Sequence, residues 1–296
     1  MKHFEEDFSM QNTCVAFGDF DGIHLGHRAV IDRLLAAADG LTSVLVSFAY
    51  DESLLGERKI LSTEEEKKHL LAKNGPDALV SYKMNGQKKE VPVKDFIKEI
   101  LVGKLGAKTI VAGKCDSNIG VLRSCADEFG YTLEEVEPVL AGGEPVCAKK
   151  IIQELAEGTL KQANDMLGHP YLLMGEVLHG KALGRTVGMP TANIGYKPNK
   201  QLPAFGVFGT ISEIDGRKVK GLTNIGKRPS VDNFDYVTIE EFLLDFSGDL
   251  YGRILPLEVH AHIRGIVKFN NIEEVKQQVN KDVESIRSYF DQLVTA

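Results

Sequence analysis

The sequence predicts two domains of different class: an α/β domain with a mainly parallel, doubly wound sheet, then an antiparallel β domain with a terminal helix. Three observations carry this reading. Strand-like and helix-like segments alternate up to about residue 140, a helix stop stands at Gly168-His169-Pro170, and short β-rich segments with no helices between them follow. The boundary falls at that stop, giving domains 1–168 and 169–296.

The alternation opens at Cys14 to Leu35. Apolar Val15, Ala16 and Phe17 run up to Gly18, a loop carries Phe20, Asp21 and Gly22, and an amphipathic helix opens with His24, Gly26 and His27. A strand, a glycine loop and a helix N-terminus are where an α/β protein holds a phosphate. Ser43 to Phe48 reads as a buried strand, and Ser62-Thr63-Glu64-Glu65-Glu66 as a capped helix start running to Lys73. Strands are then expected at Ala78 to Tyr82, Lys108 to Ala112 and Tyr131 to Val136, with helices at Lys94 to Lys104 and Gly120 to Glu128. Lys149 to Leu167 is one helical stretch ending at the stop.

From Tyr171 the texture is LLMGEVLHG, GVFGTISEIDG, KVKGLTNIG, YVTIEEFLLDF and ILPLEVHAHI, which fits an antiparallel barrel or a sandwich. Ile272, Val275, Val279, Val283, Ile286 and Phe290 recur at helical spacing, so Asn271 to Leu293 is an amphipathic helix that must pack against something.

With 296 residues and 43% hydrophobic content the chain can bury two cores. A net charge of −7 argues against nucleic acid or an anionic membrane surface as partner. Cys14, Cys115, Cys125 and Cys147 have no CxxC pairing and read as reduced thiols. The start, MKHFEEDFSMQN, has no apolar h-region, and no run approaches the ~18 apolar residues of a spanning helix. A cytoplasmic protein acting on small molecules is expected.

His24 and His27, three apart at a helix start, face one side beside the free N–H groups of the first turn. Imidazole donors and the positive end of the helix dipole would stabilise charge on a phosphoryl group. A metal pair or two solvated histidines are the alternatives.

Gly18-Asp19-Phe20-Asp21-Gly22-Ile23-His24-Leu25-Gly26-His27 resembles the GxFDGxHxGH signature of the adenylyltransferase domain in bacterial bifunctional riboflavin kinase/FAD synthetases, members of the HxGH nucleotidyltransferases. The resemblance implies transfer of AMP from ATP to FMN. His24 and His27 would serve the ATP phosphates, and Gly18, Phe20, Asp21, Gly22 and Gly26 would form the nucleotide loop. The attacking FMN phosphate is already ionised, so positioning and charge stabilisation suffice.

The chain departs from the family pattern at three places. FxPHP is Phe48-Ala49-Tyr50-Asp51-Glu52, GxDFxFG is Gly113-Lys114-Cys115-Asp116-Ser117-Asn118-Ile119-Gly120, and SSTxIR is Cys147-Ala148-Lys149-Lys150-Ile151-Ile152. Three hydroxyls and a guanidinium expected on the triphosphate are lost, and Lys149 or Lys150 could supply only a point charge. These departures predict adenylyl transfer that is weakened or absent. In the alternative reading the domain is a non-catalytic nucleotide- or flavin-binding module that regulates the kinase.

In the second half, Gly175 to Ile194 holds a strand, a glycine-bounded loop and Pro190-Thr191-Ala192-Asn193, which alone could be a phosphate and Mg²⁺ site or only a turn. With Leu202 to Phe208, Thr223 to Pro229, Ile239-Glu240-Glu241, Asp249 to Gly252, Ile263-Arg264 and Lys268-Phe269 it resembles the riboflavin kinase domain of the same family. That resemblance implies a six-stranded antiparallel barrel that phosphorylates riboflavin with ATP and Mg²⁺. Thr191 would bind the metal, and Asn193 the metal or phosphate. Gly180, Lys181, Gly184 and Gly188 would shape the phosphate loop. Glu240 would be the base that the attacking alcohol needs, with Glu241 on the opposite strand face. Arg264 would order a flap or form a structural ion pair. Phe242 stands where the family often has His.

Overall fold

The computed structural model describes every residue except Glu6, Glu90, 181–188, 229–235 and Ala296. By contacts the chain divides into two compact units, Met1–Ile151 with Met166–Gly168, and Ile152–Asp165 with His169–Ala296. A split at residue 168 would put 152–165 in the first domain, whereas contacts group that stretch with the second.

The first unit begins with β1 (Lys2–Phe4), β2 (Thr13–Gly18), a 3₁₀ turn at Asp21–Ile23, α1 (Leu25–Ala37) and β3 (Thr42–Tyr50). A short α2 (Glu52–Leu55), α3 (Glu64–Leu71), β4 (Ala78–Met84) and α4 (Gly86–Lys89) follow, then α5 (Val93–Phe96) running into a π-helix at Ile97–Lys104. β5 (Ala107–Gly113), α6 (Ile119–Phe129) and β6 (Thr132–Val136) complete the alternation. The sheet order is β1-β4-β3-β2-β5-β6, all parallel. Chain order runs outward from β2 through β3 to β4, then returns to the other side of β2 with β5. The switch point therefore lies between β2 and β5, where a doubly wound sheet opens its ligand crevice.

Thr63 caps α3 as expected, accepting from Glu66 N while the Glu66 carboxylate accepts from Thr63 N. Several short elements have no counterpart in the expectation, α2 and α4 among them. β1 is a short charged edge strand on β4, and β7 (Leu140–Ala141) with β8 (Glu144–Pro145) forms a hairpin about Gly142 and Gly143, both at positive φ. The single helix expected from 149 to 167 is two, α7 (Ala148–Glu157) and α8 (Leu160–Leu167). Gly158, at φ +84°, ends the first, and Thr159 Oγ1 donates back to Glu154 O at 2.9 Å.

In the second unit β9 (Tyr171–Leu178), β10 (Ala192–Ile194), β11 (Gly206–Ile214), β12 (Arg217–Arg228), β13 (Tyr236–Leu243) and β14 (Ile254–Arg264) close into an antiparallel barrel, order β10-β13-β12-β11-β14-β9. Of barrel and sandwich, the barrel is the fold. α9 (Ile272–Thr295) lays Ile286 and Phe290 on Val207, Leu222 and Leu244, with Phe242 packed beside them. Phe208, Ile225, Ile239 and Leu257 are buried in the barrel unit. Among the described residues no helix is long and apolar enough to cross a membrane.

Candidate active sites

The loop after β2 is strained. Phe20 and Ile23 sit at φ 45° and 44° in the left-handed region, which costs non-glycine residues on the order of 1–3 kcal/mol each. What holds the loop is Asp21. Its Oδ1 accepts from Leu61 N and Ser62 N, both at 2.8 Å, and Gly22 N donates to Ser62 Oγ at 2.7 Å. Gly22 itself is at φ +80°, and a Cβ there would stand 2.8 Å from Leu61 Cδ1. Asp21 and Gly22 thus brace the loop and are not on the wall of the cleft beside it.

His24 caps α1, its Nδ1 accepting from His27 N at 3.3 Å, so in the neutral ring the proton sits on Nε2. The two imidazoles stack with centroids 3.6 Å apart and planes 18° apart. A Cβ on Gly26 would stand 3.1 Å from His24 Cε1, so glycine keeps that space open. Burial, then the neighbouring His24 and Lys67, hold His27 well below the usual histidine range. His27 Nδ1 is buried with no hydrogen-bond partner among the described residues. Lys67 is itself buried, its Nζ donating to Ser47 Oγ at 3.0 Å and to Glu64 Oε1 at 2.8 Å.

The histidines, Gly18, Phe20 and Gly26 line a cleft of about 550 Å³ at the ends of β2 and β5. The departing segments line it too: Phe48 and Tyr50 on one wall, 113–118 on another, and Cys147 of the former SSTxIR stretch. Neither Lys149 nor Lys150 lines that wall, and Lys150 Nζ donates to Glu144 Oε2 at 2.9 Å.

In the barrel, register brings the second set together. Glu240 pairs across with Asn193 on β10 and with Asn224 on β12, so the three form one row on one face. Thr191 immediately precedes β10. A Cβ on Gly180 would stand 2.2 Å from Asn193 Nδ2, so glycine is what lets the backbone lie against that amide. Lys181, Gly184 and Gly188 lie outside the described residues. Arg264 forms an ion pair with buried Asp282 of α9, Nε to Oδ2 at 2.9 Å and Nη2 to Oδ2 at 2.8 Å.

Strand alternation puts Glu241 on the face opposite Glu240, with no role assigned to it by the sequence. Glu241 is fully buried; Thr210 Oγ1 donates to its Oε1 at 2.8 Å and Thr223 Oγ1 donates to Oε2. A Cβ on Gly221 would fall 1.8 Å from Oε1, so the missing side chain makes the space. Burial raises this carboxyl to about 7 against the two hydroxyls. Glu241 and Thr191 line a cavity of about 230 Å³ with Asp249 and Tyr251. The alternation of strand faces separates Glu241 from Glu240, but only the register reveals the threonines and the glycine that receive it.

Comparison with known proteins places both halves. The FAD synthetase family model matches residues 7–150 and the riboflavin kinase family model matches 167–290. Bifunctional riboflavin kinase/FMN adenylyltransferases are similar over the whole length: that of Haemophilus influenzae is 30% identical, covering 95% of this chain and 96% of its own. That of Listeria monocytogenes is 31% identical, covering 95% and 94%. A crystal structure titled macrolide-efflux protein, from Streptococcus pneumoniae, superposes with a TM-score of 0.83 at 26% identity, covering 97% of this chain and 99% of that one.

Proposed function

The chain belongs to the bifunctional riboflavin kinase/FMN adenylyltransferase family, and from that premise we propose that its barrel phosphorylates riboflavin readily while its parallel-sheet domain adenylylates FMN slowly. It is a transferase of flavin biosynthesis, with riboflavin, FMN and ATP as substrates, and we take it to act in the cytoplasm.

The observation that carries the kinase half is the row Asn193, Glu240 and Asn224 beside Gly180. Glu240 accepts the proton of the ribityl 5′-hydroxyl as its oxygen attacks the γ-phosphorus of ATP and ADP leaves. Two donors fit Mg²⁺: the Thr191 hydroxyl and the Asn193 amide oxygen are hard oxygen ligands. Bound there, Mg²⁺ would offset phosphate charge. Glu240→Gln should lower FMN formation by about 10²–10⁴-fold while leaving FAD formation from supplied FMN intact. FMN production at the wild-type rate in that variant would refute the assignment.

In the first domain an FMN phosphate oxygen attacks the α-phosphorus of ATP and pyrophosphate leaves. His24, through Nε2–H, and His27 stabilise charge at the N-terminus of α1. The slow rate follows from walls without the hydroxyls and guanidinium of SSTxIR.

A further inference from the structure

If the cleft beside His24 and His27 takes a nucleoside triphosphate, as the reading above holds, its walls present a difficulty. Among the described residues, three carboxylates line it, Asp19, Asp116 and Glu137, against the cationic side chain of Lys114. A polyanion is repelled by each carboxylate left bare. Two are accounted for: Lys114 Nζ donates to Glu137, and Asn118 N donates to Asp116 Oδ1 at 2.7 Å. The third, Asp19, lies in the histidine loop itself.

Asp19 is held from two sides. Tyr50 Oη donates to Oδ1 at 2.7 Å and Arg58 Nη2 donates to Oδ2 at 2.7 Å. The Arg58 guanidinium also stands 5.3 Å from the centre of the Tyr50 ring. Burial and then the Asp19 carboxylate push the Tyr50 hydroxyl up to about 12, so it remains a donor at neutral pH. Tyr50 belongs to the stretch that replaces FxPHP. The Asp19 and Arg58 side chains are 35% and 49% exposed, a setting in which an ion pair adds little to stability.

We infer that the Tyr50–Asp19–Arg58 clasp sets the charge of this cleft: Arg58 cancels Asp19, and Tyr50 keeps the carboxylate turned to it, so that a triphosphate can enter. This deepens the adenylyltransferase reading and rests on it. In a cleft of about 550 Å³ every ligand charge lies within roughly 10 Å of the wall, about one Debye length. One uncancelled carboxylate against several phosphate charges should then cost tenfold or more in affinity.

The test uses the full chain and the α,β-methylene analogue of ATP. Exposed Cys115 and Cys147 line this cleft, whereas Cys14 and Cys125 are buried. Site-resolved protection of the two exposed thiols from iodoacetamide therefore reports this cleft and not the barrel. Arg58→Ala should raise Kd at least tenfold, less so in high salt. Asp19→Asn should bind as tightly as wild type or tighter, and Asp19→Asn with Arg58→Ala should return to within threefold of wild type. A double variant as weak as Arg58→Ala would overturn the inference, because Arg58 would then act on something other than Asp19. So would unchanged or tighter binding by Arg58→Ala. If the wild type shows no protection at any concentration, the nucleotide reading of the cleft falls, and the inference with it.

Discussion

Asp21 in the parallel-sheet unit and Glu241 in the barrel are both buried carboxylates next to the residues that carry the chemistry, and they are accommodated differently. Asp21 accepts from two main-chain N–H groups and a serine hydroxyl, ligands that belong to the backbone path of residues 61–62. Glu241 has two threonine hydroxyls and the space left by a glycine. The first arrangement fixes a strained loop and so positions His24. The second holds a carboxyl inside a barrel without fully offsetting its loss of water, so its proton binds tightly. The difference separates what each unit should show when perturbed: the loop should answer in adenylyl transfer, the cradle in stability against pH.

The largest effect is expected at the loop. His24→Ala removes both the α1 cap and a donor to the transferring phosphate, and should lower FAD formation from FMN by about 10²–10³-fold. Riboflavin phosphorylation by the same preparation should be unchanged; a parallel loss of both activities would break the separation of the two sites. Next comes Glu241. Its carboxyl is raised from 4.5 to about 7, so the stabilisation is fully present below pH 4.5 and is lost as pH rises through 7. Urea unfolding at pH 5 and pH 8 should differ by about 2–3 kcal/mol from this group. Glu241→Gln should flatten that difference, and a pH slope unchanged by the substitution would show that burial does not raise this carboxyl above its unfolded value. The smallest effect is at Gly221, where Gly221→Ala pushes a Cβ against Glu241 Oε1 and should cost about 1–3 kcal/mol. In a Glu241→Ala background the same change should cost little, because the clash is gone.

Much of the fold is legible in the sequence because local signals carry it: the Thr63 capping box, the strand periods and the stop at Gly168 all correspond to structure. What was not legible depends on distant partners. β1 has only three residues and becomes a strand by pairing with β4, 76 positions away. Barrel and sandwich differ only in which strands close the sheet, and no local pattern in β9 to β14 specifies that. Gly158 is a local signal for the break between α7 and α8, and the single helix expected over 149–167 does not use it. Among site residues, the histidine pair and the Asn193–Glu240 row follow from motif and register. The bracing role of Asp21 and the burial of Glu241 do not, since each depends on residues far along the chain: Leu61 and Ser62 for one, Thr210, Gly221 and Thr223 for the other.

The central claim is that the barrel retains its chemistry while the rebuilt cleft works slowly. A time course with riboflavin, excess ATP and Mg²⁺, followed by chromatography, tests it most directly. FMN should accumulate first, with FAD appearing at a much lower rate. FAD forming as fast as FMN would contradict the account.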